Sequence, residues 1–193
     1  MSGNIWTQNY YRVRKKVLAI GNKYWIEDAK GNTLGFSKQK ILKLKEDIRI
    51  YTDEKMKQEL FRIQQQQIID LWGTFVIVDS ATNTILGYIR RKAAKSTFAW
   101  DEWEVLDAHK NLMARIEENK GRGLIRKYAP GGKLVPEKMK LYLNGKPVVE
   151  INQKFKIIGD IWEVKVIDLP QSFDRRVLLG GVILMAMIER QHK

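Results

Sequence analysis

Residues 75–86 have the sequence Phe-Val-Ile-Val-Asp-Ser-Ala-Thr-Asn-Thr-Ile-Leu, in which an apolar run, an aspartate, polar turn-forming residues and a second apolar run follow one another. The same order recurs three more times, with the aspartate at Asp28, Asp53 and Asp107. The four aspartates, counting Asp79, are 25, 26 and 28 residues apart. Repetition at a nearly constant period indicates one supersecondary unit used several times, each copy burying its apolar face against its neighbours.

Each copy has the features of a β-hairpin. Its flanking runs are rich in aromatic and β-branched residues, which favour strands, and the turn between them begins with the aspartate. An aspartate carboxylate can accept a hydrogen bond from the backbone N–H two residues further on, and Gly31 in the first turn tolerates a positive φ. We therefore predict four hairpins closed by Asx turns.

Further alternating or apolar runs lie outside the repeats, at 41–45, 141–143, 148–151 and 161–167. Asn144-Gly145, between two of these runs, is among the strongest hairpin signals. Counting both strands of each hairpin gives about 12 strands, more than an open twisted sheet accommodates without curling or closing. The predicted fold class is mainly β, a closed antiparallel barrel built from repeated hairpins.

The C-terminal element differs from the rest. Asp174 is suited to cap a helix, and the twelve residues 177–188 are uncharged and apolar on every helical face. Such a helix is either buried in a core or spans a membrane, but twelve residues rise only about 18 Å against about 30 Å of hydrocarbon. We therefore predict a hydrophobic helix at 174–190, enclosed by the barrel, with Gly180-Gly181 leaving room for bulky strand side chains.

The predicted domain organisation is simple. Residues 1–19 form a basic and aromatic N-terminal segment, and residues 20–193 form a single barrel domain with the helix inside it. The stretch 121–136 is rich in Gly, Pro and basic residues. We expect it to be a long mobile loop, because loops of that length in a compact domain are uncommon and often functional.

Composition restricts the classes of function. The chain has 193 residues, no cysteine and a formal net charge of +13, of which +9 falls in residues 1–100. Without cysteine there is neither a disulfide framework nor a thiolate metal site, and the first residues lack the apolar core of a signal peptide, so we expect a cytoplasmic protein. The positive charge favours polyanionic partners, either nucleic acid or an anionic membrane surface, although excess lysine also keeps strand-rich proteins soluble.

The sequence offers little for catalysis. His109 lies in the fourth turn, where we predict an ordinary turn residue, and His192 lies beside the C-terminus. No histidine-based triad or multi-histidine metal site follows from two such residues. Gly131-Gly132-Lys133 lacks the spaced first glycine of a phosphate-binding loop. We therefore expect a non-enzymatic protein without cofactor or bound metal.

Two stretches resemble a known superfamily. They are the strand-turn-strand unit at 74–92 and the terminal Phe-Asp-Arg-Arg at 173–176 that precedes the apolar helix. Over residues 20–190 the chain resembles the tubby C-terminal-like fold, and within it the phospholipid scramblase and LURP-one-related branches. The resemblance implies that the terminal helix threads the barrel.

For the scramblases the resemblance implies association with anionic phospholipid bilayers and, in some members, calcium-triggered lipid movement. The stretch corresponding to their acidic calcium loop, 168–174, keeps only Asp168 and Asp174, whereas calcium takes about six to eight oxygen ligands. The palmitoylated cysteines of animal scramblases are also missing. These departures argue against calcium binding and against lipid scrambling.

The sharpest candidate binding site is a basic cluster after the third hairpin. It consists of Arg90, Arg91, Lys92 and Lys95. The cluster leads into two aromatic residues, Phe98 and Trp100. Cations beside aromatic side chains suit an anionic membrane interface. We therefore predict that these residues bind anionic phospholipid or phosphoinositide, which would make the protein a peripheral membrane protein.

A second basic cluster follows the first hairpin. It contains Lys38 and Lys40, with Lys43 and Lys45 behind them. On an alternating strand these lysines can equally be the solvated face. We include Lys38 and Lys40 in the predicted lipid-binding site.

Two other classes of function remain open. Residues 10–16, Tyr-Tyr-Arg-Val-Arg-Lys-Lys, set aromatic among basic side chains, a combination that suits single-stranded nucleic acid, although no recognised nucleic-acid module accompanies them. A scaffold that binds protein partners is the other alternative. Lipid and nucleic-acid binding are distinguished by whether the charge gathers on one flat face of the barrel or lines a groove.

Overall fold

The computed structural model describes residues 5–18, 21–39, 47–66, 73–92 and 102–188. These residues form twelve strands, two α-helices and two short 3₁₀ turns. The strands are β1 (Tyr10–Leu18), β2 (Gly21–Glu27), β3 (Thr33–Gln39), β4 (Ile48–Tyr51), β5 (Glu59–Gln65), β6 (Thr74–Asp79), β7 (Ile85–Lys92), β8 (Glu102–Leu106), β9 (Leu112–Glu118), β10 (Lys138–Leu143), β11 (Lys146–Lys156) and β12 (Gly159–Val166). The helices are α1 (Lys120–Tyr128) and α2 (Arg175–Ile188), and the 3₁₀ turns are Ile5–Thr7 and Gly132–Leu134.

The strands form one closed antiparallel barrel. Each strand pairs with its neighbours in sequence, and β1 pairs with β12 to close the ring. This confirms the predicted fold class. Residues 10–18, which the sequence assigns to an N-terminal segment before the barrel, are strand β1, with Val13 opposite Trp162 in the closing ladder. Alternation explains this placement, because Tyr11 and Val13 supply fully buried side chains to the interior.

Helix α2 lies inside the barrel, as the sequence predicts. Residues 177–187 are all buried, and they join the strand side chains in one apolar core. A methyl group on Gly180 would lie 3.1 Å from Cγ1 of Ile77, and one on Gly181 would lie 3.2 Å from Cδ1 of Ile89. The two glycines therefore let isoleucines of the wall approach the helix backbone. In the described part of the chain, no helix combines the length and the apolarity needed to cross a membrane.

The four repeat aspartates close their turns in the predicted way. Asp28 Oδ1 accepts hydrogen bonds of 2.8 Å from the backbone N–H groups of Lys30 and Asn32. The contact to the N–H two residues further on recurs at Asp53, Asp79 and Asp107. The side-chain amide of Asn32 also donates to Asp28, which together with the backbone N–H groups holds the pKa of that carboxyl below its usual value. Gly31 has the expected positive φ, +88°.

The stretch 121–136 is not the irregular loop that its glycines and prolines predict. Its first part is helix α1, which Asn119 caps by accepting a hydrogen bond from the N–H of Arg122 at 3.2 Å. Arg126, on this helix, donates to Glu118 at 2.9 and 3.1 Å and lies 2.9 Å from Glu137. Both carboxylates are buried, so a single guanidinium holds the helix against the strand ends β9 and β10. Sequence composition alone does not reveal this anchor.

The up-and-down order of the strands separates the turns into two groups. The four Asp turns, the Asn144-Gly145 turn and the segment leading into α2 lie at one end of the barrel, which we call the Asp-turn end. Helix α1 and the turn at 157–158 lie at the other end, which we call the α1 end. This division positions every candidate functional residue described below.

Candidate functional site

The structure divides the predicted cluster 90–92 between two faces of β7. Arg90 points outward, where its guanidinium lies 2.8 and 2.5 Å from Oε2 of Glu104 on β8. Lys92 also points outward, with Nζ 3.0 Å from Oε1 of Glu102 and 3.6 Å from Oε1 of Glu104. Both cations are therefore partly neutralised by carboxylates of the neighbouring strand.

Arg91 faces the other way. It pairs in register with Trp103, and its guanidinium carbon lies 5.5 Å from the centre of that buried indole ring. Its neighbour two positions earlier, Ile89, is fully buried in the core. A strand turns successive side chains to opposite faces, so three consecutive basic residues cannot form one surface patch.

The second predicted cluster is described only in part. Lys38 is exposed near the end of β3, opposite Lys23 of β2. Lys40 and Lys95 lie outside the described residues, as do Lys43, Lys45, Phe98 and Trp100. Strands β3 and β7 both end at the α1 end, but three strands lie between them. The structure therefore brings Lys38 and Lys92 to the same end of the barrel without placing them side by side.

The N-terminal aromatic and basic residues are used inside the barrel wall. Tyr11 is fully buried, and its hydroxyl donates to the carbonyl of Ile5 at 3.1 Å. Arg12 and Arg14 both bind Glu27 of β2, with Nε–O distances of 2.7 and 2.9 Å. Lys15 is buried and donates to the carbonyl oxygen of Ala186 near the end of α2. Among the basic residues of this stretch, Arg12, Arg14 and Lys15 thus have structural partners, whereas Lys16 is exposed.

A cleft of about 630 Å³ runs along the outer wall of β9 to β12. Both signs of charge line it, and two of its lysines are already paired. Lys140 Nζ lies 3.8 Å from Glu150, and Lys154 Nζ lies 2.8 Å from Glu163. The hydrogen bond that Lys154 donates to Glu163 raises the pKa of Lys154, and the same contact lowers the pKa of Glu163. Mixed charge of this kind does not single out an anionic ligand.

The segment before α2 is organised by the guanidinium of Arg175. Arg175 is buried and donates to the carbonyl oxygens of Leu169, Pro170 and Phe173, each at 3.2 Å. These three carbonyl oxygens are therefore occupied by hydrogen bonds from the guanidinium. Within the described ranges, no three His, Asp or Glu side chains are grouped so that they could hold a metal.

The sequence reasoning missed a set of apolar side chains exposed at the α1 end. We call this set the apolar rim, and its members are Leu18, Leu124, Ile125, Tyr128, Leu134, Ile157 and Ile158. They belong to three connections, β1–β2, β9–β10 and β11–β12, that follow one another around the barrel. The signal available in the sequence was the pair of isoleucines at 157–158, which stands between Lys156 and Gly159 where a polar turn is usual.

Charge is distributed unequally between the two ends. The four Asp turns and the segment 167–174 carry a net charge of −3 together, whereas the connections 119–137 and 156–159 at the α1 end carry +5. Lys16, Lys120, Lys138 and Lys156 are exposed there. Exposed apolar side chains and excess positive charge therefore occur together at the α1 end.

A closed antiparallel barrel of twelve strands with an apolar helix through its interior defines the class of tubby-like barrel proteins. A family model described as LURP-one-related (LOR) matches residues 35–186, and the chain therefore belongs to the LURP-one-related family. The resemblance predicted from the sequence is thus confirmed for this branch.

The fold has a relative among solved structures. The X-ray structure of a protein from Arabidopsis thaliana is similar, with a TM-score of 0.55 and 11% sequence identity over 94% of this chain and 92% of that chain. At this identity the likeness concerns the fold. No curated protein matches the sequence.

Proposed function

We propose that this LURP-one-related barrel is a non-enzymatic protein that binds anionic phospholipid surfaces through its α1 end. The observation that supports this most is the coincidence, on consecutive connections of one barrel end, of exposed apolar side chains with a net charge of +5. The Asp-turn end also exposes apolar side chains, at Met56, Ile85, Leu112 and Ile167, but its net charge is −3. One end of the barrel is thus matched to an anionic interface and the other is not.

Two weak effects would act together when the α1 end meets an anionic bilayer. Each lysine or arginine near an anionic leaflet contributes about 1 kcal/mol, and this contribution decays within a Debye length. Apolar side chains that are grouped rather than scattered on a surface mark sites for membranes or partners. Together they favour a bilayer, because a bilayer offers phosphate at its surface and hydrocarbon directly beneath it.

The residues predicted from sequence have a supporting part in this proposal. Lys38 is exposed near the α1 end and is free to approach headgroups, and Lys92 ends its strand there. Arg90 and Lys92 contribute less than their charge suggests, because Glu104 and Glu102 offset them. The main contribution comes instead from exposed lysines beside the apolar rim, such as Lys16 and Lys156.

The proposal is tested by co-sedimentation of the protein with neutral, phosphatidylserine and phosphoinositide vesicles at low and moderate salt. A single-stranded oligonucleotide serves as competitor. We expect binding that requires anionic lipid, weakens with salt and persists with the competitor present. Tight oligonucleotide binding without any vesicle binding would overturn the proposal in favour of a nucleic-acid function.

A matched pair of variants locates the surface. Lys16→Glu, Lys120→Glu and Lys156→Glu combined reverse three exposed charges at the α1 end. Lys55→Glu, Lys57→Glu and Lys146→Glu combined reverse three exposed charges at the Asp-turn end. Both variants change the net charge equally, so only the first should lose vesicle binding. Equal losses in the two variants would mean that binding follows net charge and not the α1 end.

A further inference from the structure

We propose that the turn at Ile157-Ile158 is a rigid wedge that enters the hydrocarbon layer of an anionic bilayer. This inference rests on the proposed function and adds to it the element that penetrates and the orientation of the barrel. The α1 end then faces the membrane, with the Asp-turn end directed away from it.

The exposure of this turn is unusual. Ile157 is 103% exposed and Ile158 is 60% exposed, and Leu18 on the adjacent β1–β2 connection is 36% exposed. Lys156 and Gly159 pair directly in the ladder, so the two isoleucines are the whole connection between β11 and β12. Two-residue hairpin turns favour glycine, asparagine and aspartate, because the required backbone angles and the solvent exposure suit those residues. Neither Ile157 nor Ile158 has a positive φ, which Gly159 takes instead, but isoleucine does not suit the solvent exposure of a turn.

The same barrel contains a matched counterexample. Leu143 and Lys146 pair directly at the Asp-turn end, and the two residues between them are Asn144 and Gly145, with φ of 51° and 78°. The chain therefore uses the usual residues for a two-residue turn at one end of the barrel and two large apolar residues at the other. Isoleucine is compatible with the backbone of the second turn, but turn formation gives no reason for its exposure, whereas contact with an apolar phase does.

The turn is held in place by its close approach to the neighbouring strand. Gly159 has a φ of +104°, and a methyl group there would lie 1.9 Å from the carbonyl oxygen of Lys15 on β1. The backbone behind the isoleucines is thus packed directly against β1. A fixed turn of this kind cannot fold its apolar side chains back onto the barrel, so they stay available to a bilayer.

Cations lie at the depth where headgroups would be. Lys156 is adjacent to the isoleucines, whereas Lys154, two residues further back and about 7 Å along the strand, is paired with Glu163. Lys16, on the paired strand β1, is exposed beside them. Apolar side chains at the tip with lysines behind them reproduce the order of hydrocarbon and phosphate in an anionic leaflet. A second copy of the chain is a poorer occupant, because a symmetric contact through this tip would bring the lysines of both copies together.

The first test uses the absence of cysteine from the chain. Ile157→Cys and, as control, Asn144→Cys each provide a unique site for an environment-sensitive fluorophore. On phosphatidylserine vesicles we expect a blue shift at position 157, quenched by lipids brominated on their acyl chains, and no change at position 144. Protein that sediments with vesicles but shows no shift at position 157 overturns the wedge alone. Wild-type protein that fails to sediment overturns the wedge and the proposed function together.

The second test removes the apolar side chains without a label. Ile157→Ser and Ile158→Ser combined should leave the near-ultraviolet circular dichroism unchanged and weaken vesicle binding about tenfold or more, with the remaining binding more sensitive to salt. Unchanged affinity overturns the proposal. Sedimentation velocity without vesicles addresses the other occupant, since a dimer that the double variant converts to monomer would assign the tip to self-association instead.

Discussion

Arg176, in the first turn of α2, donates a hydrogen bond to the carboxylate of Asp79 in the third Asp turn. The same guanidinium binds Asp174, with Nη2 2.7 Å from Oδ2. Both members of the Arg176–Asp79 pair are largely buried. A helix that is apolar on every face has no polar feature along its length to fix its position inside a barrel. This ion pair supplies one at the point where the helix enters.

We expect Asp79→Asn to destabilise the protein by about 2 kcal/mol, because Arg176 would lose a charged partner in a site with little water. Urea unfolding at neutral pH measures the change. Asp53→Asn is the control, since Asp53 accepts its hydrogen bond from the backbone N–H of Lys55 in its own turn and makes no ion pair with the helix among the described residues. An equal loss of unfolding free energy in both variants would show that Asp79 stabilises the protein through its turn and not through its contact with the helix.

The same pair gives stability a pH dependence. Burial on its own would raise the pKa of Asp79, but hydrogen bonds from the Thr82 N–H and from Arg176 outweigh it and hold the pKa below its usual value. A carboxyl group of this kind stabilises the fold fully above its unfolded pKa, about 3.9, and less as the pH falls through its folded pKa. The difference between wild type and Asp79→Asn should therefore shrink below about pH 4. If the stability difference between wild type and Asp79→Asn stays constant below about pH 4, the ion pair is not its source.

We expect Gly180→Leu to destabilise the barrel by about 3 kcal/mol, since the added side chain would enter space filled by Ile77 and Ile63. Chemical denaturation measures the loss. Gly121→Leu is the matched control, because a side chain at that position in α1 would meet only the Asn119 amide oxygen, at 3.6 Å. A tolerated Gly180→Leu would mean that α2 is not in close contact with the wall.

The Asp turns contain a strained position that can be relieved. Met56 and Lys110 have φ of 54° and 67° at the place where the first repeat has Gly31. Met56→Gly should raise the free energy of unfolding by roughly 0.5 to 1 kcal/mol, because glycine adopts positive φ without steric cost. Gly31→Ala should lower it by a similar amount. Thermal unfolding of the two variants checks the opposite signs, and a loss at Met56→Gly would refute the strain argument.

Replacing Arg126, which holds helix α1 against the strand ends, should destabilise the 120–137 segment. Arg126→Gln would leave Glu118 and Glu137 buried without their guanidinium, and breaking a buried ion pair costs about 3 kcal/mol or more. Limited proteolysis should then cut within 120–137 before the barrel unfolds. Lys120→Gln, an exposed change on the same helix, serves as control and should leave the digestion pattern as in wild type.

Much of the fold was predictable because the hairpin and helix patterns within single segments are consistent with one closed barrel. The repeated aspartates predict the hairpins, and their number predicts a closed barrel. Val177 to Met187 predict a buried helix, since no solvent-facing side is present. The helix α1 was missed because a capping Asn119 and a charge contact between Arg126 and two distant glutamates outweigh the low helix propensity of its glycines.

The candidate site was less predictable. Arg90, Arg91 and Lys92 are consecutive in sequence, but the pleat sends Arg91 to Trp103 and leaves the other two beside Glu104 and Glu102. Those carboxylates become neighbours only through the register of β7 and β8. A count of charges along the chain therefore overstates the free charge of this cluster.

The sequence by itself determined the repeating hairpins, the interior helix and the net positive charge, because these depend on residue type and on spacing within one segment. Tertiary structure alone decided which charges remain available and where the apolar rim lies. Strand pairing decides which charges remain available, because a cation is neutralised when the adjacent strand places a carboxylate opposite it. The closure of β1 on β12 decides where the apolar rim lies, because it brings the isoleucines at 157–158 beside Leu18 and Lys16 from the other end of the chain.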